Sequence, residues 1–392
     1  MEGQEQMRED EAPLREEVTQ ETTTNQGQRM TMGESSDVFD KRRATLVVPD
    51  LVLVVSLDII LLRLIVPAVA VDGDAAAVQN NVPKLYTDGI LVVVQVNYFS
   101  CGGVAIAVYF NHVVADAAAA ANFIQSWAAI ASGGNNSMDA IYNATSIFPP
   151  QNLQLPVKDL WGRIFEKCNS VVEVISKRFT FHDTNISAIR ERIRNGKSLD
   201  SPTRFEAISA LILGAMTADQ SRDREDFKTT NVAFFPVNLQ KRMNPPLPKR
   251  YIGNICLGTM AKWSTEEVID YKILAGKLHE SIASMDDNYI RKLNEDAGHF
   301  LNGLISLDEE NNKLNLIFQT SFCRFPLYDA DFGWGKPKWV SIVMKYSNTI
   351  ILSDTCNGDG IEAWVGLPKE DMAKFENNPD ILAYASFNQS IL

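Results

Sequence analysis

Cysteine is scarce in this chain of 392 residues. The five, Cys101, Cys168, Cys256, Cys323 and Cys356, are odd in number, scattered, and form no Cys-x-x-Cys pair. That excludes a disulfide framework and a cysteine-rich zinc site, and points to reduced thiols. Only four histidines occur, at 112, 182, 279 and 299, and no two have zinc-ligand spacing, so no metal is expected. No Gly-x-Ser-x-Gly nucleophile elbow is present. Asn195-Gly196-Lys197-Ser198 resembles the end of a P-loop, but Glu191 stands where that loop requires glycine. Asn357-Gly358-Asp359-Gly360 hints at a calcium loop, yet Gly366 occupies the place of the bidentate glutamate. Asp331-Phe332-Gly333 is not a kinase element, because no His-Arg-Asp catalytic loop accompanies it.

Positive charge is also in deficit. Lys and Arg number 37 against 49 Asp and Glu, a net charge of −12. Such a surface repels nucleic acid and anionic membranes, which are therefore not expected partners. Residues 1–43 are polar and acidic, lack the apolar stretch of a signal peptide, and are expected to be a disordered tail. A cytoplasmic location follows as the expectation. Residues 45–71 are dense in Val, Leu and Ile, but Asp58 and Arg63 sit near the middle. Each charge costs roughly 2.5 to 3.5 kcal/mol at the centre of a bilayer, so buried strands or a core helix fit better than a membrane span.

What the chain does have is the balance of a globular protein, with 45% hydrophobic and 22% charged residues. Its length calls for two domains. Residues 90–98 and 104–110 read as strands joined by the Cys101-Gly102-Gly103 turn, a possible hairpin. The alanine-rich run 117–131 reads as a helix anchored by Phe123, Ile124 and Trp127 and stopped at Ser132-Gly133-Gly134. Further strands are expected at 177–181, 232–237, 315–321, 338–345 and 349–353, the last two paired. Helices are expected at 184–193, 203–218, 264–285 and 369–377. The charged stretch 219–230 reads as a crossover linker between a domain at 44–218 and one at 231–392. Strands and helices mix in both halves, which defines an α/β class with mixed sheets.

Of the histidines, only His112 stands at the exit of a buried strand and just before a helix, where α/β folds place ligands. A neutral imidazole there can take a proton from an alcohol. Asp116 follows four residues later. It shares a face with His112 if the segment is helical, and otherwise caps the alanine-rich helix. Asp331-Phe332-Gly333-Trp334-Gly335 reads as a tight turn, with glycines at unusual dihedrals and Trp334 as a packing anchor. The basic loop containing Lys241, Arg242, Lys249 and Arg250 could meet cofactor phosphates or simply be solvated.

Six blocks in order, VQVNYFSCGGVAIAVYFNHVVAD (94–116), SPTRFEAISALI (201–212), VNLQKRMNPPLP (237–248), TSFCRFPLYDADFGWGKP (320–337), CNGDGIEAWVGL (356–367) and ASFNQSIL (385–392), resemble the plant BAHD acyltransferases, in the branch that contains alcohol acetyltransferases. The resemblance implies two chloramphenicol acetyltransferase-like domains with a channel between them and no permanent cofactor. Acyl-CoA, with acetyl-CoA the default, would be the co-substrate. A small-molecule acceptor of plant specialised metabolism would offer a hydroxyl or amine, and the protein would be a monomer. It implies His112 as general base and Thr320 as a group that helps hold the oxyanion. It implies that Asp116 orients the loop by pairing with an arginine, for which Arg242 is the candidate, and that Asp331 and Trp334 are structural. Lys241 and Arg242 would face the CoA. The chain departs from the family pattern at residues 1–43 and 57–71 and in Ala117, where a glycine is usual. These departures keep open a second reading, a non-catalytic homologue that binds a ligand or has no function.

Overall fold

The computed structural model describes residues 51–58 (backbone only), 91–99, 102–112, 114–134, 139–149, 173–194, 199–218, 229–264, 270–295, 313–342 and 346–387. The expected acidic tail at 1–43, the Val-rich run beyond residue 58, residues 219–228 of the linker and the P-loop-like segment 195–198 lie outside the described residues.

Two mixed sheets organise the chain. The first has four strands: β1 (Leu51–Asp58), β2 (Val92–Tyr98), β3 (Val104–Asn111) and β8 (Trp339–Ile342), in the order β2-β3-β1-β8. The expected hairpin is present: β2 and β3 pair antiparallel, Val92 opposite Phe110 through Tyr98 opposite Val104. β1 runs parallel to both β3 and β8. Helix α1 (Ala117–Ala131) packs on this sheet. Its small alanines let the helix approach Val104, Ile106, Val108 and Phe110 of β3, with Ile124 fully buried and Phe123 meeting Phe110 edge-on at 5.5 Å.

The second sheet has seven strands. They are β4 (Val174–His182), β5 (Thr229–Asn238), β6 (Cys256–Ser264), β7 (Lys313–Ser321), β9 (Thr349–Asp354), β10 (Gly360–Pro368) and β11 (Ser386–Phe387), in the order β11-β4-β10-β9-β7-β5-β6. β5, β7 and β9 are mutually parallel, and the remaining pairs are antiparallel. One face is covered by α2 (Asp183–Ile193), α3 (Arg204–Thr217) and α4 (Tyr271–Ala283). α5 (Asp287–Glu295), α6 (Lys369–Glu376) and α7 (Pro379–Tyr384) complete the described α-helices. Alternation along the strands assigns the faces. Ile350 and Leu352 of β9 join the helix-side core, whereas Ile351 between them joins the core of the first sheet together with Trp364 of β10.

Several expectations need correction. The strands expected at 338–345 and 349–353 do not pair. β8 joins β1 in the first sheet, while β9 lies between β7 and β10 in the second. The helix expected over 264–285 is shorter, Tyr271–Ala283, and is preceded by strand β6. The linker does not separate the two sheets either. β4, α2 and α3, assigned to the first half, pack in the seven-stranded layer, and β8 with the 331–335 turn, assigned to the second, belongs to the first core. Strand pairing over long sequence separations decides this, and a linker's composition carries no information about it.

Candidate active site

β3 ends at Asn111, and a turn closed by Val114 N donating to Asn111 O at 3.0 Å carries His112 away from the sheet. Two ties hold this turn against the segment that leads into β6. Asn254 Nδ2 donates to the main-chain oxygen of His112 at 2.6 Å. The buried Asp116 carboxylate bridges both sides: Oδ1 accepts from Ala119 N at 2.8 Å, capping α1, and Oδ2 accepts from Ile255 N at 2.9 Å. Burial raises the Asp116 pKa. The amides of Ala119 and Ile255 and the nearby His112 oppose that shift. The His112 ring is half-buried, and among the described residues none hydrogen-bonds to it. The imidazole therefore sits on a loop pinned to both sheets.

Asp116 meets backbone amides, and the expected pairing with Arg242 is not formed. Arg242 Nη1 donates to Ile282 O at 2.8 Å and Met285 O at 3.2 Å, so the guanidinium satisfies carbonyls at the C-terminal end of α4. Burial lowers its pKa. Lys241 beside it is exposed.

Thr320 lies on β7, opposite Ile351 of β9. Its neighbour Gln319 faces the helices and bonds the Ser209 hydroxyl of α3. Thr320 therefore points to the other face, the one from which Ile351 and Trp364 reach the first core. His112 thus follows a strand of the first sheet, whereas Thr320 lies in the second, on the face from which Ile351 and Trp364 reach the first core.

The Asp331–Gly335 turn is a packing device. Asp331 Oδ1 accepts from Gly333 N at 2.7 Å and Gly335 N at 3.0 Å, and the two glycines adopt φ of 93° and 109°, which side chains disfavour. The turn drives Phe332 into the first core, edge-on to Trp127 of α1 at 4.7 Å and stacked with Trp334 at 6.3 Å. The Asn357–Gly360 segment is the tip of the β9–β10 hairpin, closed by Thr355 Oγ1 donating to Asp359 Oδ1 at 2.7 Å.

Asn254 and the Ile255 amide were not legible in the sequence. A single asparagine after a basic loop has no periodicity, and a backbone N–H has no residue signature. Cys256 shares that fate: its thiol is pushed up to about 12, first by burial and then by the Asp116 carboxylate.

Two mixed sheets are tied together at the His112–Asp116 loop, and comparison with known proteins places the chain among the transferases. The model of the Transferase family matches residues 58–382. Among the relatives, epi-neemfruitin B synthase of Melia azedarach is 44% identical over 307 residues, covering 76% of this chain and 69% of its own length. A limonoid 1-O-acetyltransferase of Citrus sinensis is 43% identical over 312 residues, covering 76% and 69%. The crystal structure of vinorine synthase superposes with a TM-score of 0.62 at 28% identity, covering 79% of this chain and 71% of that one. The chain belongs to this family, the BAHD acyltransferases, which fits acyl transfer from acyl-CoA.

Proposed function

We propose that this protein transfers an acetyl group from acetyl-CoA to a hydroxyl of a limonoid-like, fused-ring acceptor, with His112 as general base. The observation that carries the base is the double tie of its loop: Asn254 holds the His112 carbonyl, and Asp116 holds the amides of Ala119 and Ile255. A pinned loop with a ring unclaimed by the described side chains is the seat a proton acceptor needs. The acceptor class comes from the relatives named as limonoid acetyltransferases.

The steps balance without a covalent enzyme intermediate. The imidazole takes the proton of the acceptor hydroxyl as its oxygen attacks the thioester carbonyl. The C–O bond forms, and the carbonyl electrons move onto oxygen. The Thr320 hydroxyl, on the sheet face that borders the junction, donates to that oxyanion. Collapse restores the carbonyl and breaks the C–S bond, and the leaving thiolate takes the proton back from the imidazolium. Asp116 acts through the loop and does not touch the reacting atoms. Lys241 is the exposed cation proposed to face the CoA phosphates.

The protein is further proposed to act as a cytoplasmic monomer with no nucleic-acid or membrane partner. The acidic net charge disfavours nucleic acid and anionic membrane surfaces as partners, and among the described residues no helix is long and apolar enough to cross a membrane. The proposed domain division places β1–β3, α1 and β8 in one unit and the seven-stranded layer in the other.

The test is incubation of purified protein with acetyl-CoA and a panel of limonoids bearing free hydroxyls, read by mass spectrometry. An acceptor gaining one acetyl group supports the reading. Acetyl-CoA left intact across the whole panel, by folded protein, favours the non-catalytic alternative.

A further inference from the structure

The two sheets meet a second time, away from the Asp116 bridge. Trp339 of β8 belongs to the first sheet and Trp364 of β10 to the second, and their rings stack at 6.0 Å with an interplanar angle of 25°. The Arg178 guanidinium of β4 lies over both, 5.4 Å from the Trp339 ring and 6.0 Å from the Trp364 ring. Its Nη1 donates to Glu362 Oε1 of β10 at 3.1 Å, and the two side chains are only 10% and 9% exposed. Burial pushes the Glu362 carboxyl up, and Arg178 and the adjacent Trp339 indole oppose that shift. On the first-sheet side, Val340 N donates to the Tyr328 hydroxyl at 3.1 Å and holds the strand beside Trp339.

Strand register places this cluster. Thr320, Ile351, Trp364 and Arg178 are direct neighbours across β7, β9, β10 and β4. Directly paired residues share a face, and Phe179 beside Arg178 joins the helix-side core, so this row faces the first sheet. Strands about 4.8 Å apart put Arg178 roughly 14 Å along the row from Thr320. The Asp116 bridge ends at Ile255, which leads into the edge strand β6, whereas β4 and β10 stand toward the opposite edge. The first sheet repeats this separation. Trp339 pairs with Val52 and Val52 with Ala105, and at about 3.3 Å per residue Ala105 lies roughly 20 Å before Asn111, where the His112 turn begins.

A single tie between two sheets leaves them free to rotate about it, and a second tie at a distance fixes the angle. We infer that Arg178, Glu362 and Trp339 form this second tie, a positioning device that sets how the Thr320 row faces the His112 loop and so governs turnover rather than substrate binding. The inference rests on the proposed function, because it takes His112 and Thr320 as groups that act on one reacting centre. None of the three touches the reacting atoms. The tie depends on geometry as well as charge. A planar guanidinium can stack on two rings and bond a carboxylate at once, which a lysine ammonium cannot reproduce. Removing one partner of the pair leaves the other charge buried and uncompensated. A misplacement of about 1 Å between reacting groups can cost about a hundredfold in rate.

Steady-state kinetics with acetyl-CoA and a limonoid alcohol, beside urea unfolding, tests the tie in wild type, Arg178→Lys, Arg178→Met, Glu362→Gln and the double variant Arg178→Met/Glu362→Gln. The expected result is a loss of kcat of about tenfold or more in Arg178→Met and Glu362→Gln, with both KM values within about twofold of wild type. Arg178→Lys should be impaired less than Arg178→Met. The double variant holds no unpaired buried charge, so it should recover the unfolding midpoint and remain slow. Wild-type kcat in folded Arg178→Met overturns the positioning role, as does a rise confined to KM. A double variant that regains turnover together with its midpoint overturns it too, because the pair would then serve stability alone. A second arm needs no acceptor. The midpoint losses of Arg178→Met and Trp339→Leu should be less than additive when combined, since the contact spans both sheets. Additive losses overturn the tie whatever the acceptor. A wild type that shows this coupling but acetylates nothing supports the tie and refutes the catalytic reading.

Discussion

Asp116 links the chemistry to the fold, because one carboxylate satisfies amides on both sides of the junction. Replacing it with alanine removes an N-cap, worth about 1 kcal/mol. It also strands the buried Ile255 N–H, at a cost of about 1 to 3 kcal/mol. Asp116→Ala is therefore expected to lower stability by roughly the sum, about 2 to 4 kcal/mol in urea unfolding, and to reduce turnover through a loosened loop. A variant with unchanged stability would show that the bridge does not form. Two half-buried thiols give a pH prediction. Burial pushes Cys256 up to about 12 and Cys323 up to about 11, from an ordinary 9.0. Above pH 9 these thiols ionise in the unfolded chain but not in the folded one. Stability is then lost as pH rises from 9 toward those values. Alkylation by iodoacetamide at pH 9 should spare Cys256 and Cys323 in native protein and modify both in urea. Fast native labelling of Cys256 would contradict the raised pKa of its half-buried thiol near Asp116.

Among the elements, the Asp331–Gly335 turn has the clearest energetic role. Phe332 is buried against Trp127 and Trp334, and truncating it to alanine should cost about 3 to 5 kcal/mol. Helix α3 begins with a capping box, Thr203 and Glu206 exchanging bonds at 3.1 and 2.7 Å. Thr203→Ala should cost about 1 kcal/mol with activity retained. Denaturant midpoints at fixed slope check both. Some elements are legible in the sequence because their signals are local: the glycines of the turn, the alanines of α1 and the two apolar runs of the β2–β3 hairpin around their glycine turn. Pairing was not legible. β10 is buried along nearly its whole length, so its sequence does not alternate and gave no strand signal. β8 and β9 look like hairpin partners because they are near in sequence, yet they serve different sheets. Of the proposed site, His112, Asp116 and Thr320 stand in recognisable blocks, whereas the ties made by Asn254 and the Ile255 amide arise only from tertiary contact.

At the scale of the molecule, the two sheets share elements across the chain, so substrate binding at their junction should stabilise the whole. Acetyl-CoA at 100 times its dissociation constant should add about 2.7 kcal/mol to unfolding stability. Absence of any stabilisation by acetyl-CoA or free CoA would mean that the junction does not hold the donor. His112 is proposed to deprotonate the acceptor in a direct transfer. The most direct measurement is the release of free thiol from acetyl-CoA in the presence of a limonoid alcohol, compared between wild type and a His112→Ala variant of matched stability. Acceptor-dependent release is expected in the wild type and its loss, by about two to four orders of magnitude, in the variant. Near-normal release from the variant would contradict it.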